Sequence, residues 1–378
     1  MYKLMTAGPT QVTEAVRLAR SRVCPNPDQD GDFVEFYHDT CKTLSRLLGS
    51  EAHETLILGG EGILGLEAAC ATLTEVGDRV LVLDNGIFGA GFADFVRIYG
   101  GEPLLYTCDY RRELDPLALR AFLERDHDFK YATLVHCDTP SGILNDISAL
   151  CPILKEFGIL TVVDSVAAMF GEPVDVNWGI DLLCGGSQKV ISAPPGLAFV
   201  TISPEAWQVM KGRKTPVASF YANLLTFSHY YEERWFPYTM PVSDLYGLAA
   251  AVEQVEADPQ LITRHQSIAK ACRSALEAGG LALYPISGPS NTVTAFCVPE
   301  GLSSKDILDT MLTKHQIMLS DSFGPFKGEV LRIGHMGTNC NWGDMEETMT
   351  ALSDSLSDLG FSTTCHLGKE FLRLAGEG

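Results

Sequence analysis

Between residues 54 and 202 the chain alternates short, uninterrupted apolar runs with stretches of helical period, and few folds accept that rhythm. "ETLILGG" precedes "ILGLEAACATL", and "DRVLVLDNG" precedes "GAGFADFVRIYG". "YATLVHCDTPSG", "SALCPILKEFG", "ILTVVDSVAAM", "IDLLCGGS" and "GLAFVTIS" continue it. A run with no polar alternation has no solvent face, so each predicts a strand covered on both sides, with the intervening helices as the cover. The expected class is α/β, a mostly parallel sheet sandwiched by helices. In such sheets reactive groups collect beyond the carboxyl ends of the strands, and the polar and glycine residues fall there: "GGEG", "DNGIFG", "HCDTPSG", "DSVAA" and "GGSQK".

From about residue 255 the pattern changes to a long helical segment, "TVTAFCVPE", a further helix and "EVLRIGHMG". A chain of 378 residues exceeds what one core of roughly 250–300 residues holds. We therefore expect a large domain, 15–254, and a smaller α+β domain, 255–378, that also takes up residues 1–14. A net charge of −20 disfavours nucleic acid and anionic membranes as partners. No stretch resembles a signal peptide or an apolar span of about 20 residues, which predicts a soluble, cytoplasmic protein. The eleven cysteines lack CxxC pairs and zinc-like spacing, so they read as reduced thiols and no metal site is expected.

"GEGILG", residues 60–65, matches GxGxxG after an apolar strand, with Asp84 where a ribose-binding acid would stand. A nicotinamide reading, however, leaves Lys189, Asp164 and Arg332 without roles. Lys189 lies among small and apolar residues ahead of a Pro-Pro-Gly turn, and a buried ammonium needs a partner, a shifted pKa or a covalent fate. Asp164 closes the apolar strand of "TVVDSVAA" and reaches the same sheet edge. A lysine to form a Schiff base and an aspartate to hold a pyridine nitrogen protonated are what pyridoxal chemistry requires. The same lysine can then serve as general base.

In this order "TAGPT", "GLEAA", "NGIFG", "HCDTPSG", "VDSVAA", "GSQK" with "APPG", "YTMPVSDLYGL" and "LRIG" are specific. The chain resembles the class V, fold-type I aminotransferases of the alanine–glyoxylate and serine–pyruvate group over nearly its whole length. That resemblance implies a transaminase that moves an amino group from a small amino acid to pyruvate or glyoxylate, with pyridoxal 5′-phosphate (PLP) as cofactor. It makes Lys189 the catalytic Schiff-base lysine, Asp164 the partner of the pyridine nitrogen, and Phe88 the ring stacked on the cofactor. Thr139 belongs near the ring edge. Gly60, Glu61, Gly62, Ile63 and Gln188 belong to the phosphate cup, and Thr239 completes that cup from a neighbouring subunit. Gly8 and Arg332 bind substrate, the arginine because its planar fork grips a carboxylate. Small-molecule substrates and a homodimer or tetramer follow.

The sequence departs from the family at Glu61, where relatives place a serine. A carboxylate within about 4 Å of a phosphate dianion is costly without an added cation. This departure resembles the pyridoxamine–pyruvate transaminases, in which unphosphorylated pyridoxamine is the substrate. "LGLEAA", "DTPSG", "FPYT" and "RIGHMG" agree with that alternative, whereas Gln188 and Phe323 resist it. A third reading makes Cys340 the mobile thiol of a cysteine desulfurase on the same fold.

Overall fold

The computed structural model describes residues 2–376. Its largest sheet has seven strands: β1 (Glu54–Gly59), β2 (Arg79–Asp84), β3 (Glu102–Thr107), β4 (Tyr131–Val135), β5 (Leu160–Asp164), β6 (Leu182–Gly186) and β7 (Leu197–Ile202). Their spatial order is β1-β7-β6-β5-β4-β2-β3. All run parallel except β7, which is antiparallel to both neighbours. The apolar pattern of "GLAFVTIS" identifies a covered strand but not its direction, because a central strand is dry on both faces either way. Every residue of β4, β5, β6 and β7 is buried, as their unbroken apolar runs require.

The strand β3 is one that the sequence pattern does not announce. It contains Pro103 and is only partly buried, both properties of an edge strand. Proline removes a ladder donor, and a half-exposed run loses the apolar signature.

The helix α1 (Gly31–Leu47) packs on β1. It is followed by α2 (Gly62–Leu73), which fills the turn after β1 and lies on β6 and β7. The packing at Gly65 is ordinary contact, a Cβ there standing 3.4 Å from the Ala198 Cβ. The helix α3 (Ile87–Ile98) follows β2 directly. These elements and α4 (Val242–Glu256) contribute to one continuous apolar core.

A second core gathers α5 (Leu261–Ala278), α6 (Ser304–His315), α7 (Trp342–Asp358) and α8 (Leu367–Ala375) around a three-stranded antiparallel sheet. That sheet consists of β8 (Val293–Cys297), β9 (Ser320–Asp321) and β10 (Val330–Gly334), with β10 central. Near the start of the chain, Lys3–Leu4 pairs in parallel with Ile317–Met318. No helix among the described residues is long and apolar enough to cross a membrane.

Candidate active site

The parallel strands end on one side of the sheet, and five of their exits meet around a cavity of about 250 Å³. The cavity is lined by Glu61 and Ile63 after β1, Phe88 after β2, Cys137 and Thr139 after β4, Asp164 at the tip of β5, and Lys189 after β6, with Leu66, Val166 and Ala167 as apolar walls. The sheet register explains why Asp164 and the "HCDTPSG" turn share a rim, since Val135 pairs with Asp164 and Asp164 with Cys184. The site therefore sits where an open parallel sheet places its ligands.

Lys189 donates a 2.6 Å hydrogen bond to the carbonyl of Ala7. Gly8 is required beside it: its φ is +95°, and a Cβ there would stand 2.5 Å from the Lys189 Nζ. Burial, with the Arg332 guanidinium nearby, lowers the Lys189 amine to about 8, against the opposing pull of Cys137, Glu61 and Asp164. An amine lowered this far is a nucleophile near neutral pH. Burial also pushes the Asp164 carboxyl up to about 7, although its Oδ1 accepts the Val166 N–H at 2.9 Å and Lys189 favours its charge. Asp164 is thus a buried acid awaiting a cationic partner.

Phe88 is held by a residue that the sequence reading left without a role. Asp138 is fully buried; its Oδ1 accepts the Phe88 N–H at 3.1 Å and its Oδ2 accepts the Ser141 hydroxyl at 2.7 Å. One carboxylate therefore ties the start of α3 to the turn that carries Thr139. The signal for it in the sequence is its place in "DTPSG", where the resemblance gives a role only to Thr139.

The glycine turn differs from an open anion cup. The Gly60 N–H donates to the Gly196 carbonyl at 2.8 Å, and Gly62 lies against Val166. Glu61 caps α2 itself, its Oε2 accepting the Ile63 N–H at 3.0 Å. Its Oε1 accepts the side-chain amide of Gln188, whose own Oε1 is buried without a partner. Two of the donors that the resemblance assigns to a phosphate, the Ile63 N–H and the Gln188 amide, are thus engaged by a carboxylate. The slot beside Lys189 and Asp164, walled by Phe88 and Ala167, suits a planar pyridine ring, whereas Glu61 engages two of the donors expected for a phosphate on it.

Arg332 projects from β10 and does not line the cavity, yet lies close enough to lower the Lys189 amine. Its Nε and Nη2 donate to the Asp321 carbonyl at 3.2 and 2.5 Å, which leaves Nη1 and the outer edge of Nη2 for an end-on pair of bonds. Thr239 is exposed, bonded to Asp28 at 3.2 Å, and outside this chain's cavity. Cys340 is buried in the second core with its thiol pushed up to about 12 by burial, so it presents no mobile nucleophile. Asp84, the ribose acid of the nicotinamide reading, is buried and accepts from Thr107 and Tyr110 at 3.0 and 2.6 Å.

A mostly parallel sheet with a half-buried lysine and a buried carboxylic acid at its exit defines a class of pyridoxal-dependent transferase. The family described as aminotransferase class-V matches residues 31–326. The chain is 33% identical to an uncharacterised aminotransferase of Methanocaldococcus jannaschii, over 95% of this chain and 93% of the other. It is 30% identical to a pyridoxamine–pyruvate transaminase of Mesorhizobium japonicum, over 94% and 92% of the two chains. Among solved structures, ureidoglycine–glyoxylate aminotransferase from Bacillus subtilis superposes with a TM-score of 0.95 at 26% identity, covering 100% of this chain and 98% of that one. The chain belongs to the class-V aminotransferases, a PLP-dependent family of fold type I, and is a transaminase.

Proposed function

We propose that this transaminase hands an amino group to a small 2-oxo acid, pyruvate or glyoxylate, at Lys189. The observation that carries the reading is the pairing, across one 250 Å³ cavity, of an amine lowered to about 8 with a buried carboxyl raised to about 7. A pyridoxal ring bound there supplies the aldehyde for the Schiff base and the electron sink for the substrate's α-carbon. Lys189 acts as nucleophile and then as the base that carries a proton at that carbon. Asp164 holds the proton of the ring nitrogen, and a protonated ring is the partner that would let its carboxylate ionise. Phe88 and Ala167 offer apolar walls to the ring, Thr139 its edge, and Arg332 the end-on pair of donors for a substrate carboxylate.

Two forms of the vitamin divide the reading. PLP as resident cofactor requires Glu61 to leave the cup. A second reading, in which unphosphorylated pyridoxamine is itself the amino donor to pyruvate, is favoured by the engagement of Ile63 N–H and the Gln188 amide by Glu61. A carboxylate there repels a phosphate and can accept a hydroxymethyl proton instead. The pyridoxamine–pyruvate relative supports the same reading by analogy.

The experiment pairs PLP dissociation constants of the wild type and Glu61→Ser with turnover of pyridoxamine plus pyruvate against L-alanine plus glyoxylate. Weak PLP binding in the wild type, tightened at least about tenfold by the serine, together with pyridoxamine turnover, is expected. Tight PLP binding by the wild type without pyridoxamine turnover would return the protein to alanine–glyoxylate chemistry. Borohydride-trapped label on any lysine other than Lys189 would overturn both forms.

We further place a domain boundary near residue 255, with residues 1–14 joining the smaller domain. The two separate apolar cores and the pairing of Lys3–Leu4 with Ile317–Met318 support it. We assign the active form to a twofold dimer in the cytoplasm, with Thr239 serving the partner's site. The exposure of Thr239 and of nearby Phe220, Tyr221 and Trp235 supports the dimer, and eleven unpaired cysteines suit a reducing compartment.

A further inference from the structure

Phe323 is a large aromatic residue that is 40% exposed, yet it is held in place by a loop with little freedom. The Ser322 hydroxyl, next to it, donates to the Pro140 carbonyl of the "DTPSG" turn at 2.8 Å. The Asp321 carbonyl takes the two Arg332 bonds, while the Asp321 carboxylate is turned into its own loop, accepting from Ser322 N at 2.8 Å, Ser304 Oγ at 3.1 Å and Gly328 N at 3.2 Å. Gly324 follows with φ +59°, and a Cβ there would stand 2.8 Å from Ile87 Cδ1. The ring of Phe323 meets Phe88 edge-on, with centroids 5.9 Å apart and planes at 76°. The Arg332 guanidinium carbon lies over the same ring, 5.5 Å from its centroid. Phe323 therefore bridges the wall for the pyridine ring and the group that grips the acceptor.

We propose that Phe323 confines the acceptor to 2-oxo acids with a single carboxylate and an apolar substituent. The inference rests on the reading of Arg332 as the carboxylate grip, and holds whichever form of the vitamin donates the amine. Once Arg332 is occupied, a second carboxylate would have to lie against an aromatic ring and lose its hydration without a partner. The carboxyl groups that act on Arg332 are those of Asp138 and Asp321, while Glu61, Asp164 and the Arg332 guanidinium act on Lys189. Arg332 is itself the cation beside Lys189, so among these groups a second substrate carboxylate would meet carboxyl groups and no further cation. An apolar substituent, in contrast, gains burial against the ring.

The test compares kcat/KM for 2-oxobutyrate and 2-oxoglutarate, with pyridoxamine or L-alanine as donor, in the wild-type holoenzyme, Phe323→Arg and Phe323→Leu. The wild type should prefer 2-oxobutyrate, Phe323→Leu should keep that preference, and Phe323→Arg should shift the ratio toward 2-oxoglutarate by about tenfold or more, as one charge pair in a partly dry site can. A wild type that uses both acids equally, or an arginine variant with an unchanged ratio, overturns the proposal. Arg332→Lys checks the underlying reading separately. It should depress kcat/KM for both acids together, and if it leaves both unchanged, the grip lies elsewhere and the role given to Phe323 falls with it.

Discussion

Asp164 and Lys189 both cost the protein stability when no vitamin is bound, because loss of hydration opposes the charged form of each. The Asp164 carboxyl rises from about 3.9 in an unfolded chain to about 7 in the folded one. An acid raised by folding binds protons more tightly in the native state, so its contribution is fully present below pH 4 and is lost as pH climbs through 7. An asparagine at this position would keep an oxygen for the Val166 N–H without ever carrying charge. In the vitamin-free protein, Asp164→Asn should therefore add stability that grows between pH 4 and 7 and levels off above, on the order of 4 kcal/mol. The same variant should lose most of its transamination. Urea midpoints of both proteins across that range provide the check, and parallel pH profiles would mean that Asp164 titrates normally. Such a trade of stability for chemistry is expected where a site is built before its ligand arrives.

At the scale of elements, the geometry around Phe88 depends on how closely α3 follows β2. A Cβ on Gly89 would stand 2.8 Å from the Leu83 carbonyl oxygen, a backbone atom that cannot swing aside. Alanine is the better helix former by about 1 kcal/mol, but overpacking a rigid contact costs about 1–3 kcal/mol. Gly89→Ala should consequently lower stability by about 1 kcal/mol and displace Phe88 from Asp138, weakening capture of pyridoxal by Lys189. Denaturant midpoints and the yield of the borohydride-reduced adduct would measure the two effects, and an alanine variant of unchanged midpoint would show that α3 has room to move. The contrast with Gly65 is instructive. Its Cβ would meet side-chain atoms at 3.4 Å and beyond, ordinary contact that α2 can absorb.

At the scale of the whole molecule, the cavity of one chain lacks Thr239, which lies outside it and exposed. Around the same loop Trp235, Tyr221 and Phe220 are 51%, 54% and 59% exposed, a concentration of aromatic surface of the kind that contacts between proteins bury. In the dimer we assign, Trp235→Arg should yield a monomer that melts as a folded protein yet transaminates at a few per cent of the wild-type rate or less. Sedimentation and activity on one preparation decide it; a fully active monomer would remove Thr239 from the partner's site.

The amino-acid sequence by itself determined the class of the fold and the meeting of Lys189 with Asp164 at one rim. Unbroken apolar runs admit no strand environment other than a covered sheet, and a lysine and an aspartate at successive strand exits arrive at one rim by register alone. Residues whose role depends on a partner far along the chain were not legible. Asp138 reads as a turn residue until its carboxylate is seen to join Phe88 to Ser141. Phe323 reads as a loop aromatic until Arg332 is found across its ring, and Cys340 as a free thiol until the second core closes over it. The direction of β7 and the existence of β3 were likewise settled by packing, since burial does not encode strand polarity and an edge strand carries little apolar signal. Glu61 shows the division most sharply. Its charge is plain in the sequence, but only the folded chain brings the Gln188 amide and the Ile63 N–H to the same carboxylate, because hydrogen bonds form according to distance in space and not along the chain.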